Sequence, residues 1–133
     1  MSIRPEYAAK ILSGEKRIEL RRQRPKLEPG DVVVVYVTSP LSQIVGAFSV
    51  ARVVSMGVEA MWRRHRPLLG VAREMYDAYF TDRETAYGIA IDRVWASNPV
   101  RLNTLRRRFD GFFPPQSYMY WPDRWALPSD WAR

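Results

Sequence analysis

The chain has 133 residues, 47% apolar and 26% charged, a composition that builds one globular domain and excludes a disordered one. Against 14 acidic residues stand 21 basic ones, a formal charge of +7 that attracts polyanions such as RNA, DNA or an acidic membrane surface. With no cysteine and a single histidine, His65, disulfides are excluded and an ordinary zinc site lacks its ligands, so no metal and no cofactor is expected.

Met1 runs into Ser2 and Pro5 without the basic start and apolar stretch of a signal peptide. No apolar run reaches the ~18 residues of a membrane span, and a cytoplasmic protein that does not enter membranes is expected. Lys10, Lys16 and Lys26 are the only lysines; the other bases are arginines, whose planar fork suits phosphates and base edges.

In chain order, Pro5 opens a helix over "PEYAAKILSG", with Tyr7 and Ile11, and Ala8 and Leu12, at i, i+4 spacing and Gly14 as its cap. "GEKRIELRR" then reads as a strand. Ile18 and Leu20 point to the core, and Arg17, Glu19 and Arg21 form a row on the other face. "LEPGD" is a turn, and "DVVVVYV" a strand buried on both faces and expected at the centre of the sheet. Pro40 forces Ser39 to be extended in the following connection. "IVGAFSVARVV" alternates over a long span, with Gly46 marking a bulge or a close backbone approach.

From Gly57 the period becomes helical. Val58, Met61 and Trp62, then Val71, Met75 and Tyr79, define two inserted helices separated at Pro67. "ETAYGIAIDRVWA" returns to alternation, with Tyr87, Ile89, Ile91 and Val94 as its apolar contacts, and a last strand is expected in "SYMYW". About five to six strands with helices between them predict an α+β fold, a small mixed β-barrel with an N-terminal helix. A single domain is expected over residues 1–133, with a core at 2–121 and a Trp- and Pro-rich extension at 122–133.

Three segments together resemble an ASCH domain of the PUA-like superfamily. "SIRPEYAAKILSGEKRIELRR" is similar to the family's opening helix and its G-x-K-x-x-E-x-R signature, met by Gly14, Lys16, Glu19 and Arg21. "YVTSP" before "IVGAFSV" resembles the link between its next two strands, and "FFPPQSYMYW" its closing strand. The resemblance implies a pseudo-barrel whose signature strand lines a cleft, in a superfamily whose relatives commonly bind RNA or modified nucleobases. One branch of the family is described as an amidohydrolase acting on acetylated cytidine, with a Thr three residues after the signature Lys. Glu19 occupies that position here, so this catalytic set is not matched. Other members are reported as ribonucleases.

The residues themselves point to a polar groove for RNA or a nucleotide. Glu19 between Arg17 and Arg21 accepts hydrogen bonds, as from an amino group on a base edge; Lys16 offers a mobile point charge for phosphate, and Arg21 a fork. The alternative for this row is a surface ion-pair ladder contributing about 0 to 1 kcal/mol per pair. Pro114 and Pro115 stiffen the approach to Gln116 and Ser117, either to present an amide and a hydroxyl to a ligand or only to close the fold. Ser39 is a further candidate for the same cleft, or a plain turn serine. Tyr118 and Tyr120 either stack a base or pack the core.

The basic runs at 62–66 and 105–109 either follow a phosphate backbone or form solvated faces. Three functions remain open on these grounds. The first is an RNA- or nucleotide-binding module using Lys16, Arg17, Glu19, Arg21, Ser39, Gln116 and Ser117. The second is a hydrolase of modified nucleosides or RNA, with Lys16 and Glu19 as its catalytic pair. The third is a protein-interaction domain using Trp121, Trp125 and Trp131 as an apolar patch.

Overall fold

The computed structural model describes residues 1–121. Its elements are β1 (Ser2–Ile3), α1 (Pro5–Ser13), β2 (Ile18–Arg21), β3 (Val32–Val37), β4 (Gln43–Gly57), α2 (Val58–Leu69), α3 (Arg73–Tyr79), β5 (Thr85–Arg101) and α4 (Leu102–Arg108). The five strands form one sheet in the order β1-β3-β4-β5-β2, with β1 parallel to β3 and every other pair antiparallel. Mixed α+β architecture is therefore as expected. Closure into a barrel is not: among the described residues β1 and β2 remain the two edges of an open sheet.

The sheet bends because its long strands are bulged. β4 and β5 run for 15 and 17 residues, and their register slips between Ile44 and Gly46, between Phe48 and Val50, and between Val50 and Arg52. Each slip adds local twist and turns the strand. At Gly46 a Cβ would lie 2.2 Å from the Trp95 carbonyl oxygen, so the predicted close backbone approach is real. β3 is not central as expected; β4 is, because β1 adds to β3's outer side. β3 is still buried on both faces, with Val33, Val35 and Val37 in one core cluster and Tyr36 in another.

The helix that opens the chain matches its signals. Pro5 starts α1, Gly14 at φ 84° ends it, and Ala8 and Ile11 are buried beneath it. Two inserted helices follow β4, but their boundary differs from the expectation. Pro67 lies inside the last turn of α2, where it removes one helical hydrogen bond, and the break comes at Gly70, whose φ of 61° suits a left-handed cap. α3 buries Tyr76 and Phe80 against Ile18, Leu20, Met61 and Leu69. Of the expected stripe, Val71 and Tyr79 pack partly buried against this cluster, whereas Met75 is 45% exposed.

Residues 117–121 do not form the expected last strand. Pro114 and Pro115 cannot donate to a ladder, and the segment makes one strand-like bond with β1, from the Ser2 amide to the Ser117 carbonyl at 2.9 Å. The basic run at 105–109 begins on α4, which buries Leu105 and exposes Arg106, Arg107 and Arg108. The run at 62–66 lies on α2 with Arg63, Arg64 and Arg66 exposed and His65 half-buried. Trp121 packs against Phe109 and Phe112, with ring centroids 5.1 and 6.3 Å away; Trp125 and Trp131 lie outside the described residues. Among the described residues no helix is long and apolar enough to cross a membrane.

Replacing Gly46 with Ala drives a methyl group into backbone, which cannot rotate aside as a side chain would. Gly46→Ala should lower stability by about 2 to 3 kcal/mol, read as a lower urea midpoint at unchanged m-value.

Candidate functional site

Lys16 follows the α1 cap, and β2 carries Glu19 and Arg21 on the face opposite Ile18 and Leu20. That face looks across the gap between the two sheet edges. An open cavity of about 830 Å³ fills this gap, lined by Lys16, Glu19 and Arg21 on one side and by Gln116 and Ser117 on another. The early charged row and the proline-stiffened late segment therefore meet in one recess.

The polar groups are linked in a chain. Arg21 donates to Glu19 Oε2 at 3.1 Å through one terminal nitrogen and to the Ser117 hydroxyl at 3.1 Å through the other. Its Nε is buried with no hydrogen-bond partner among the described residues. Lys16 Nζ lies 3.7 Å from Glu19 Oε1 and donates to the Leu69 carbonyl at the C-terminus of α2. Lys10 donates to the next carbonyl, that of Gly70, at 3.1 Å. Two lysines thus meet the negative end of α2, which favours cations there. A Cβ at Gly70 would come within 2.8 Å of Lys16 Cβ, so the left-handed glycine also makes room for the lysine.

Lys16 is 2% exposed and Glu19 7%. The expectation of a mobile surface charge at Lys16 is corrected by this burial: the ammonium is held by Glu19 and the α2 terminus. The ion-pair ladder alternative fails for the same reason, since an exposed row would not be buried. Burial pulls the Lys16 pKa below its ordinary value of 10.5. Lys10 and Arg21 reinforce the fall, and Glu19 opposes it. The Tyr7 ring lies 5.4 Å from Lys16 Nζ, and burial raises the Tyr7 hydroxyl above its ordinary pKa.

Two expected site residues lie elsewhere. Arg17 precedes β2, so the strand's alternation does not extend to it. Its guanidinium donates to the carbonyls of Ile91 and Asp92 on β5 at 3.1 and 3.3 Å, outside the cavity. Ser39 is exposed in the turn before Pro40, and Thr38 lines the recess in its place. Tyr118 reaches the cavity, whereas Tyr120 lies beside a separate apolar pocket of about 220 Å³. Arg4, Arg22 and Arg83 line the recess, and sequence reasoning missed them. Arg22 adjoins the signature and could have been noticed; Arg4, just before α1, and Arg83, in the connection from α3 to β5, carry no local signal.

The sequence profile of the ASCH domain family matches residues 1–94. An ASCH domain-containing ribonuclease from Zymomonas mobilis is 28% identical over 117 residues, 88% of this chain and 79% of that protein. The crystal structure of ASCH from Zymomonas mobilis superposes with a TM-score of 0.88 at 27% identity, covering 93% of this chain and 87% of that one. The structure of a serine-to-alanine variant of that protein gives 0.87 at 26% identity, over 92% and 87% of the two chains.

With only Lys10, Lys16 and Lys26 to resolve, nitrogen-detected NMR of the lysine side chains can follow each titration. Lys16 should titrate below the ordinary value of 10.5, and Glu19→Gln should lower it further by removing the opposing carboxylate. Because folding lowers this pKa, the unfolded chain binds more protons between the folded value and 10.5. The contribution of Lys16 to stability therefore rises with pH across that window. A Lys16 titration at or above 10.5 would contradict this account.

Proposed function

This chain belongs to the ASCH domain family, and from that premise we propose that the recess between the sheet edges binds RNA and cleaves its phosphodiester backbone. The observation that carries the reading is the convergence of Lys16, Glu19, Arg21 and Ser117 in one open cavity rimmed by Arg4 and Arg22. A relative matched over most of both chains bears the name ribonuclease, which supports the same reading.

The roles follow from position and chemistry. Arg21 presents a charged fork beside the Ser117 hydroxyl, suited to anionic phosphoryl oxygens whose charge grows in the transition state. Arg4, Arg22 and Arg83 extend the positive field along the cavity walls and attract the strand. Lys16 and Glu19 form the proton-transfer pair: an amine with a lowered pKa beside a carboxylate gives up its proton more readily than an ordinary lysine. Gln116 and Ser117, held by the prolines before them, orient the substrate with little ordering cost. Acyl removal from a modified nucleoside is less well supported, because Glu19 stands where that branch of the family carries threonine.

Purified protein incubated with a labelled single-stranded RNA should generate shorter products. Lys16→Met should reduce cleavage by about 100-fold or more, with binding affinity largely kept. Arg21→Ala should weaken binding and reduce the slope of log affinity against log salt by about one. Wild-type protein that binds RNA and leaves it intact would retain the binding site and remove the catalytic role.

A further inference from the structure

The recess has α3 on one flank, where Met75, Ala78 and Tyr79 line it, and on another the segment 115–121 that crosses the gap between the sheet edges. Two bonds from Ser2 hold this segment at or before Ser117: the hydroxyl donates to the Pro115 carbonyl at 2.6 Å, and the amide to the Ser117 carbonyl at 2.9 Å. Beyond Ser117 side chains take over. The Tyr118 hydroxyl accepts from the Lys26 amide at 3.0 Å, and the Tyr120 hydroxyl donates to the Lys26 carbonyl at 2.8 Å. Two tyrosines thus take both backbone groups of a single residue in the connection between β2 and β3.

We propose that Tyr118 and Tyr120 are positioning residues for the recess: by gripping the Lys26 backbone they set the Ser117 hydroxyl against Arg21 on the opposite edge. The proposal rests on the reading of the recess as an RNA-cleaving site. Stacking a base and packing the core, the two roles expected of these rings, leave their hydroxyls without a use. Tyr118 does pack against the core cluster around Ile3, Val35 and Phe48, but Tyr120 is 64% exposed, so its ring is not fixed by burial. The two rings meet edge to face, with centroids 6.3 Å apart and planes at 84°. Each ring braces the other while both hydroxyls close on the same residue.

The order of bonds along the chain explains the effect. Ser117 sits between two anchors, Ser2 behind it and Lys26 ahead of it. Lys26 is itself a firm point, because Pro25 before it is buried and Leu27 after it packs against the core. The Ser117 hydroxyl accepts from one terminal nitrogen of Arg21 at 3.1 Å, while the other terminal nitrogen donates to Glu19 at 3.1 Å. Hydrogen bonds weaken steeply away from their preferred distance and angle. With Ser117 displaced, Arg21 keeps Glu19 alone, and the fork and the hydroxyl no longer face a phosphate together. A misplacement of about 1 Å in a reacting group costs up to about 100-fold in rate.

The test removes the hydroxyls and keeps the rings. In Tyr118→Phe/Tyr120→Phe, with the fold confirmed by a thermal melt, kcat on a labelled single-stranded RNA should fall by about 10-fold or more, with KM kept within about twofold. Tyr120→Phe alone, at an exposed position, should lose about 3-fold in kcat. Met119→Ala, between the tyrosines and outside the recess, should cleave as wild type does. A second measurement needs no RNA: the Arg21 guanidinium signals in nitrogen-15 NMR, assigned by their loss in Arg21→Lys, should exchange with water about 10-fold faster in the double variant. Wild-type kcat in the double variant, or unchanged Arg21 exchange, overturns the positioning role and leaves the RNA site standing. A higher KM with kcat kept overturns it too, as does an equal loss of kcat in Met119→Ala. Absence of cleavage by wild type overturns the RNA-cleaving reading. Arg21 exchange then decides alone, faster exchange in the double variant upholding the grip on Ser117 and unchanged exchange overturning it.

Discussion

The gap between strands β1 and β2 is the feature on which the rest of the structure depends. These are the two edges of the sheet, and among the described residues no ladder joins them. The bulged central strands curl the edges toward each other, and the Pro115–Ser117 segment spans what remains. Ser2 donates through its hydroxyl to the Pro115 carbonyl at 2.6 Å and through its amide to Ser117, while Arg21 reaches Ser117 from the β2 side. A ladder would have filled the gap with paired backbone. A bridge made of a few bonds leaves room for a cavity beside it, and side chains from both edges face into that cavity.

Such a cavity places charged groups where a core would otherwise be. Lys16 and Glu19 are almost wholly buried, and buried ion pairs seldom contribute net stability, because desolvation offsets much of the attraction. Here the cost is limited by geometry. The lysine satisfies the C-terminal carbonyls of α2 together with Lys10, and the glutamate is held between two cations. The same contacts join the end of α1 and the start of β2 to the C-terminus of α2, and so fix the polar floor against the first inserted helix. Arg17 contributes to this frame from outside the cavity, its amide donating to the Leu68 carbonyl at 2.8 Å.

The inserted helices give the recess its mixed character. α2 and α3 are themselves stabilised by an exposed cluster in which Arg73 pairs with Glu59 at 2.7 Å and Asp77 at 3.0 Å and lies over the Trp62 ring. Surface pairs of this kind contribute little individually. Their effect is to tie the two helices together at the solvent face, while Tyr76 and Phe80 anchor them within. Orientation of α3 is thus set from both sides.

Read alone, the chain determined the features that rest on local rules. The α1 start and cap, the β2 alternation of Ile18 and Leu20 against Glu19 and Arg21, and the tight approach at Gly46 follow from φ preference, period two and steric space. Membership in the recess of Lys16, Glu19, Arg21, Gln116 and Ser117 was legible as well, because the signature and the proline pair mark both walls. Tertiary structure decided what depends on neighbours distant in sequence. An isolated strand has no means of declaring itself an edge, so the open sheet and the central place of β4 emerged only from pairing. Helical spacing marks a stripe but not how deeply each position is covered, so Tyr76 and Phe80 took the centre of the cluster, Val71 and Tyr79 its margin, and Met75 stayed 45% exposed. The burial of Lys16 required the end of α2 to arrive beside it, some fifty residues later in the chain, and that contact changed a mobile charge into a fixed and desolvated one.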